Sequence, residues 1–249
     1  MIIDTHAHYG YDDVVYDEDV SEEEILYYCN LCKIDYTIIQ PEATRPYIEE
    51  TMKAHDQIFE LCHKYENRFF GMASINPHFK RDDYDRELIR CIKELGFVGV
   101  KIMPIVHSIH PSSKDAMHVY EISESLNIPV MVHTGLGAPF ADPISMIEAI
   151  QAFPKIHFII AHAGGDMMFQ QALYIAKEFK NVYLEPSWLN VYNLMAALKA
   201  LGAGRIMFSS DMPANIPVEL AKYHVLTNDQ GVLDQLLFKT AKEVFNLKI

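Results

Sequence analysis

Basic residues are scarce in this chain. Across 249 residues, Lys and Arg total 21 against 34 Asp and Glu, a formal net charge of -13. A protein that grips nucleic acid or an anionic membrane needs a basic face, so this balance argues against DNA, RNA or anionic lipid as the main partner. Cysteine is sparse too. Cys29 and Cys32 form a "CNLC" pair, but no second CxxC follows and the surroundings read as helix, so a zinc ribbon or a thioredoxin-like motif lacks its context. With Cys62 and Cys91 they read as buried thiols of a reducing compartment. There is no charge-free apolar run of the roughly 18 residues a membrane helix needs. No basic leader precedes the apparent strand at residue 2, and no Ser/Gly-rich linker divides the chain. The expectation is a cytoplasmic protein with one domain over residues 1–249. Neither GxGxxG after a strand nor GxxxxGK[ST] occurs, which removes the usual signals of an open nucleotide-binding sheet.

What is present is a repeated unit of short apolar strand, loop and helical stretch. Candidate strands are "IIDTHAH" (2–8), "DYTIIQ" (35–40), "FFGMASI" (69–75), "FVGVKIM" (97–103), "IPVMVHT" (128–134), "HFIIAHA" (157–163), "NVYLEPS" (181–187) and "RIMFSSD" (205–211). Ser21 with Glu24 reads as a capping box, Asp142–Pro143 as N-cap and first helical residue, and Ser187 as a cap for a stretch starting at Trp188. Val232, Leu233, Leu236, Leu237 and Val244 recur at helical spacing and predict a closing helix. Near-continuous apolar strands alternating with helices imply a parallel sheet covered by helices. At this length and strand count the fold class is α/β, a (β/α)8 TIM barrel.

In such barrels the chemistry gathers at the C-terminal strand ends. His6 and His8 close strand one on one face, Lys101 closes strand four, His133 strand five, His162 strand six and Asp211 strand eight. One histidine on an apolar strand is ordinarily a hydrogen-bonded core residue. Four with an aspartate are costly to bury together unless a cation compensates them. Nitrogen and oxygen donors without thiolate suit Zn²⁺ and also admit Mn²⁺, Fe²⁺, Co²⁺ or Ni²⁺.

The motifs "DTHAH", "VHTG", "AHAGG" and "SSDMP", in that order at strand ends, together with the ending "KTAKEVFNL", resemble the amidohydrolase superfamily. The likeness is greatest to its family-2 branch of metal-dependent hydrolases and decarboxylases, and it runs from residue 2 to the C-terminus. The resemblance implies that His6, His8, His133 and Asp211 hold one divalent metal ion, with Zn²⁺ the first expectation. It implies that Asp211 also accepts the nucleophilic water's proton, and that His162 orients water or substrate beside the metal. Two-metal members of the superfamily carry a carbamylated lysine on strand four. A second metal shared by Lys101, His133 and His162 is therefore the lesser alternative. With one metal, Lys101 is expected to meet a substrate carboxylate or to pair with Glu185. Asp4 is read either as a residue orienting a ligand or as a structural hydrogen-bond partner.

The loops supply Arg45, His107, His110, Phe140, Trp188 and Tyr192. Arg45, Lys101 and Trp188 are the candidate substrate contacts, suited to a small carboxylated or cyclic molecule. The leading functional expectation is hydrolysis of an amide, lactone or ester by metal-bound hydroxide. The alternative is non-oxidative decarboxylation of an aromatic or unsaturated acid, and the third reading is a catalytically silent metal-binding protein. The partner is a small molecule, with neither nucleic acid nor membrane involved, and homo-oligomerisation is left open.

Overall fold

The computed structural model describes residues 1–12, 18–41, 47–135 and 139–249. Strand β1 (Ile3–Asp12) carries β2 (Glu18–Val20) antiparallel on its outer end and pairs in parallel with β3 (Tyr36–Pro41). The ladder continues to β4 (Phe69–Gly71), which resumes past Met72 as β5 (Ala73–Ser74). It then runs through β6 (Val100–Ile102), β7 (Val130–His133), β8 (Phe158–Ala161) and β9 (Val182–Glu185), every step parallel. Residues 206–211 close the circle, bridging Ile206 to Leu184 and Asp211 to Ala7. Their hydrogen bonds include Met207 N–H to Leu184 O at 3.0 Å and Asp211 N–H to His6 O at 2.8 Å. The result is the (β/α)8 barrel expected from the strand pattern.

The helices are α1 (Glu22–Cys32), α2 (Ile48–Lys64), α3 (Arg81–Lys93), the short α4 (Pro104–His107), α5 (Lys114–Leu126), α6 (Ile147–Ala152), α7 (Gly165–Glu178), α8 (Val191–Leu201) and α9 (Ile216–Leu226). The closing segment is α10 (Gln230–Asp234), a π-turn over Gln235–Lys239 and α11 (Thr240–Val244). Ser21 Oγ caps α1 as expected, accepting the Glu24 N–H. Asp142 sits at the N-cap position, although its side chain makes no capping bond. Ser187 is no cap: α8 starts at Val191, and Asn190 Oδ1 accepts the N–H groups of Tyr192 and Asn193. None of the described helices is long and apolar enough to cross a membrane.

Strand alternation sorts the apolar residues into two cores. Ile39, Val100, Val130, Val132, Phe158, Ile160, Val182, Leu184 and Phe208 face outward and pack under the helices. Ile3, Ile38, Met72, Met131, Ile159 and Met207 form an apolar layer inside the barrel, sealed by Val244, Phe245 and Leu247 of the closing segment. Each such fully buried side chain contributes about 1.5–3 kcal/mol of transfer free energy. Above that layer the interior turns polar, and the strand-end residues assemble there.

Candidate active site

The loops after β7 and β8 are clipped together by their motif residues. Thr134 Oγ1 donates to Ala161 O at 2.7 Å and accepts from Gly164 N–H at 2.9 Å. A Cβ on Gly135, which has φ +104°, would lie 2.8 Å from the Gly164 backbone, so only glycine permits this approach. The clip sets His133 beside His162, with Nδ1 and Nε2 3.1 Å apart. His162, Trp188 and Asp211 adopt φ of +61°, +67° and +69°. Left-handed backbone at three non-glycine strand ends is strain held by its surroundings, the kind that collects at functional sites.

Across the barrel mouth, His6 Nε2, His8 Nε2 and Asp211 Oδ1 form a tight triangle. The two nitrogens are 3.1 Å apart and lie 3.1 and 3.2 Å from the oxygen. Partners on the far side of each ring fix its tautomer. His6 Nδ1–H donates to Glu185 Oε2 at 2.8 Å, and His8 Nδ1–H donates to Pro41 O at 3.2 Å. Both Nε2 atoms therefore carry lone pairs, and three electron-rich atoms point at one another. Around a cation about 2.1 Å from each donor, ligand atoms sit roughly 3.0–3.4 Å apart, so this triangle has the spacing and chemistry of a cation's ligand shell. His162 belongs to the same group, with ligand atoms of His6, His162 and Asp211 all within 4.8 Å of one another.

Electrostatics keep the rings in their ligating form. Burial, then the Lys101 charge, lowers the His6 pKa to about 4, against the pull of Asp211 and Glu185. Burial also lowers His162 and holds His133 well below its ordinary value, so both are neutral near pH 7. Burial pushes the Glu185 and Asp211 carboxyls up, but the surrounding histidines more than offset it and both stay ionised.

Lys101 is fully buried, and its Nζ donates to His6 Nε2 at 2.9 Å. Its expected pairing with Glu185 is not formed. Glu185 takes His6, and also accepts from His162 N–H, Ser187 N–H and Ser209 Oγ–H. Asp4 binds backbone rather than a ring, accepting from the N–H groups of His6 and Ser210 and from Ser210 Oγ–H, which ties β1 to the closing strand. Burial raises its pKa to about 7. Trp188 Nε1–H donates to Asp211 Oδ2 at 2.7 Å. His107 is buried and accepts Met103 N–H, His110 stacks edge-on against Phe140, and Tyr192 is exposed. Arg45 lies outside the described residues.

Sequence reasoning does not single out Gln40, and it reads Ser187 as a helix cap and not as a site residue. Gln40 Nε2 lies 3.0 Å from His8 Nε2, and Ser187 Oγ lies 2.8 Å from His162 Nδ1. Each ends or follows a strand, which is the one signal that could have found them. A second buried cluster, His55, Glu87 and Cys91, also has the residue types of a metal site. Ser74 N–H donates to His55 Nε2 at 3.1 Å, which leaves the proton on Nδ1 to donate to Glu87 Oε1 at 2.6 Å. That imidazole has no lone pair left for a cation.

A family model described as amidohydrolase matches residues 3–247. The chain is similar to a 2-keto-4-carboxy-3-hexenedioate hydratase of Sphingobium sp., at 26% identity over 66% of each chain. It is also similar to a gamma-resorcylate decarboxylase of Polaromonas sp., at 24% identity over 66% of each chain. It thus spans about two thirds of the length of these curated relatives. A dihydroxybenzoic acid decarboxylase from Polaromonas sp., solved with bound manganese and the inhibitor 2-nitroresorcinol, shares the fold. Its TM-score is 0.79 at 18% identity, covering 100% of this chain and 97% of that one.

Proposed function

The chain belongs to the amidohydrolase family, and from that premise we propose that it is a metal-dependent, non-oxidative decarboxylase of a small aromatic or unsaturated carboxylic acid. The observation that carries the reading is the triangle of His6 Nε2, His8 Nε2 and Asp211 Oδ1, whose spacing and donor types suit one divalent cation. The activities of these relatives, decarboxylase and hydratase, support a lyase better than the amide, lactone or ester hydrolase that led the expectations from sequence.

We assign His6, His8, His133 and Asp211 to hold one cation. The manganese bound in the Polaromonas structure makes Mn²⁺ the first ion to test, ahead of Zn²⁺. When bound, such an ion supplies Lewis-acid polarisation and an anchor for a substrate carboxylate and a neighbouring oxygen. Lys101 adds a buried positive charge where an anionic substrate would sit, and the low local dielectric strengthens that attraction. Asp211 and His162 are the groups assigned to hold and hand over a proton. The carbon bearing the carboxylate gains that proton, its bond to the carboxyl carbon breaks, the electron pair stays with the carbon skeleton, and CO₂ leaves. One proton is consumed per CO₂ released.

The test is metal-reconstituted protein incubated in D₂O with 2,6-dihydroxybenzoate and other ortho-hydroxy aromatic acids. Carbon dioxide with deuterium at the vacated carbon supports the reading. Lactone or amide cleavage with ¹⁸O uptake from labelled water, and no CO₂ from any acid, would restore the hydrolase.

A further inference from the structure

Trp188 is the chain's one tryptophan. Its side chain is half-exposed, yet its backbone holds φ +67°, a conformation that costs a bulky L-residue about 1–2 kcal/mol. A clamp from α9 holds it there. Glu219 Oε1, on a residue only 1% exposed, accepts Trp188 N–H at 2.9 Å, Asn215 Nδ2–H at 3.1 Å and Lys222 Nζ–H at 2.6 Å. Lys222 Nζ also donates to Leu189 O at 2.8 Å, and Asn215 Nδ2 to Ser210 O at 2.9 Å. One buried carboxylate thereby ties the loop after β9 to the end of the closing strand.

The product of the clamp is aim. The indole Nε1–H meets Asp211 Oδ2 at 2.7 Å, while Oδ1 of the same carboxylate faces the Nε2 atoms of His6 and His8. Without that donor, the carboxylate is free to turn about its last torsion, which is broad and two-fold, and to present either oxygen.

We propose that Trp188 is a positioning residue for Asp211: its indole N–H engages Oδ2 and reserves Oδ1 for a cation, and Glu219 keeps the indole in place. The inference rests on the metal reading above. A hydrogen-bond partner behind a metal ligand typically contributes about 10–100-fold in affinity, and half-exposure puts Trp188 near the lower figure.

Because the chain has one tryptophan, growing a tryptophan auxotroph on 3-benzothienylalanine replaces the indole N–H with sulfur at this position alone, at nearly unchanged shape. Trp188→Phe is the genetic counterpart. Mn²⁺ binding to the full chain is measured by isothermal titration calorimetry at one pH. Wild type is expected to bind Mn²⁺, and both modified proteins to bind about tenfold more weakly. Glu219→Ala should weaken binding in the wild type and add nothing in the Trp188→Phe background, because both act through one contact. If wild type binds and both proteins lacking the N–H bind equally well, the inference is wrong while the metal reading stands. Additive losses from Glu219→Ala and Trp188→Phe would also overturn it. A wild type that binds no divalent cation overturns the metal reading and this inference with it.

Discussion

Replacing Glu185 with glutamine probes the site through a residue that need not touch a metal. The carboxylate is fully buried and accepts on both oxygens: Oε2 from His6 Nδ1–H and His162 N–H, Oε1 from Ser187 N–H and Ser209 Oγ–H. Glutamine keeps one acceptor and turns the other into a donor. If the amide oxygen stays with the serines, its NH₂ faces two N–H groups. Two buried bonds to a charged acceptor are lost, at about 1.5–3 kcal/mol each. The relief available is for the His6 proton to move to Nε2, which removes the lone pair the cation needs. Glu185→Gln should therefore lose cation affinity by at least the roughly 10–100-fold typical of such supporting partners. Thermal unfolding with and without Mn²⁺ reads this directly. At a hundredfold excess over Kd, binding stabilises wild type by about 2.7 kcal/mol. For a chain of this length that is a rise in Tm of roughly 5–10 °C. The variant should melt lower without metal, and with affinity 10–100-fold weaker its metal-induced stabilisation should fall to about 1.4–0.4 kcal/mol, half of the wild-type rise or less. A Glu185→Gln protein with the wild-type Mn²⁺-induced rise would refute the tautomer reasoning.

Asp211→Asn should abolish Mn²⁺ binding and turnover while circular dichroism shows an intact barrel; retained turnover contradicts its assigned role. Lys101→Met removes a buried ammonium 2.9 Å from His6 Nε2. Like charges about 4 Å apart repel by roughly 4 kcal/mol at an effective dielectric of 20. Cation binding should therefore tighten at least tenfold by calorimetry, while KM for an acidic substrate rises. Weaker binding would instead favour Lys101 as a carbamylated metal ligand. Away from the site, burial raises the Glu87 carboxyl, but hydrogen bonds from His55 and Arg90 outweigh it and bring its pKa to about 2 from an ordinary 4.5. A depressed carboxyl stabilises the fold above its unfolded pKa, so this contribution, about 3 kcal/mol, is present above pH 4.5 and fades as pH falls toward 2. Urea unfolding of Glu87→Gln should show lower stability at pH 7 and a flatter acid limb. An unchanged acid limb would count against the cluster.

The barrel was legible because its strands share a two-residue alternation, as on β9, where Tyr183 packs in the inner layer and Val182 and Leu184 pack under the helices. The ligand-type residues were legible because they end strands. Register was not. A bulge between Asp4 and Ala7 breaks the alternation on β1, and of the two readings offered for Asp4 the structure shows the hydrogen-bond partner of the closing strand's Ser210. Glu185, one of two partners offered for Lys101, takes His6 instead, because the stagger of strands around a barrel decides who meets whom and leaves no local mark in sequence. Ser187 has the residue type of a helix cap, yet its hydroxyl is engaged by His162, and Asn190 three residues on does the capping. The Trp188–Glu219 contact joins a loop to a helix 31 residues away, beyond any spacing rule.

The most direct test of the account is an anomalous-scattering map from crystals of the protein grown with Mn²⁺. The account predicts one strong peak per chain, bonded by His6, His8, His133 and Asp211, with Trp188 Nε1 still on Asp211 Oδ2. A peak at His55, Glu87 and Cys91, a pair of peaks bridged by Lys101, or no peak at the barrel mouth would contradict it.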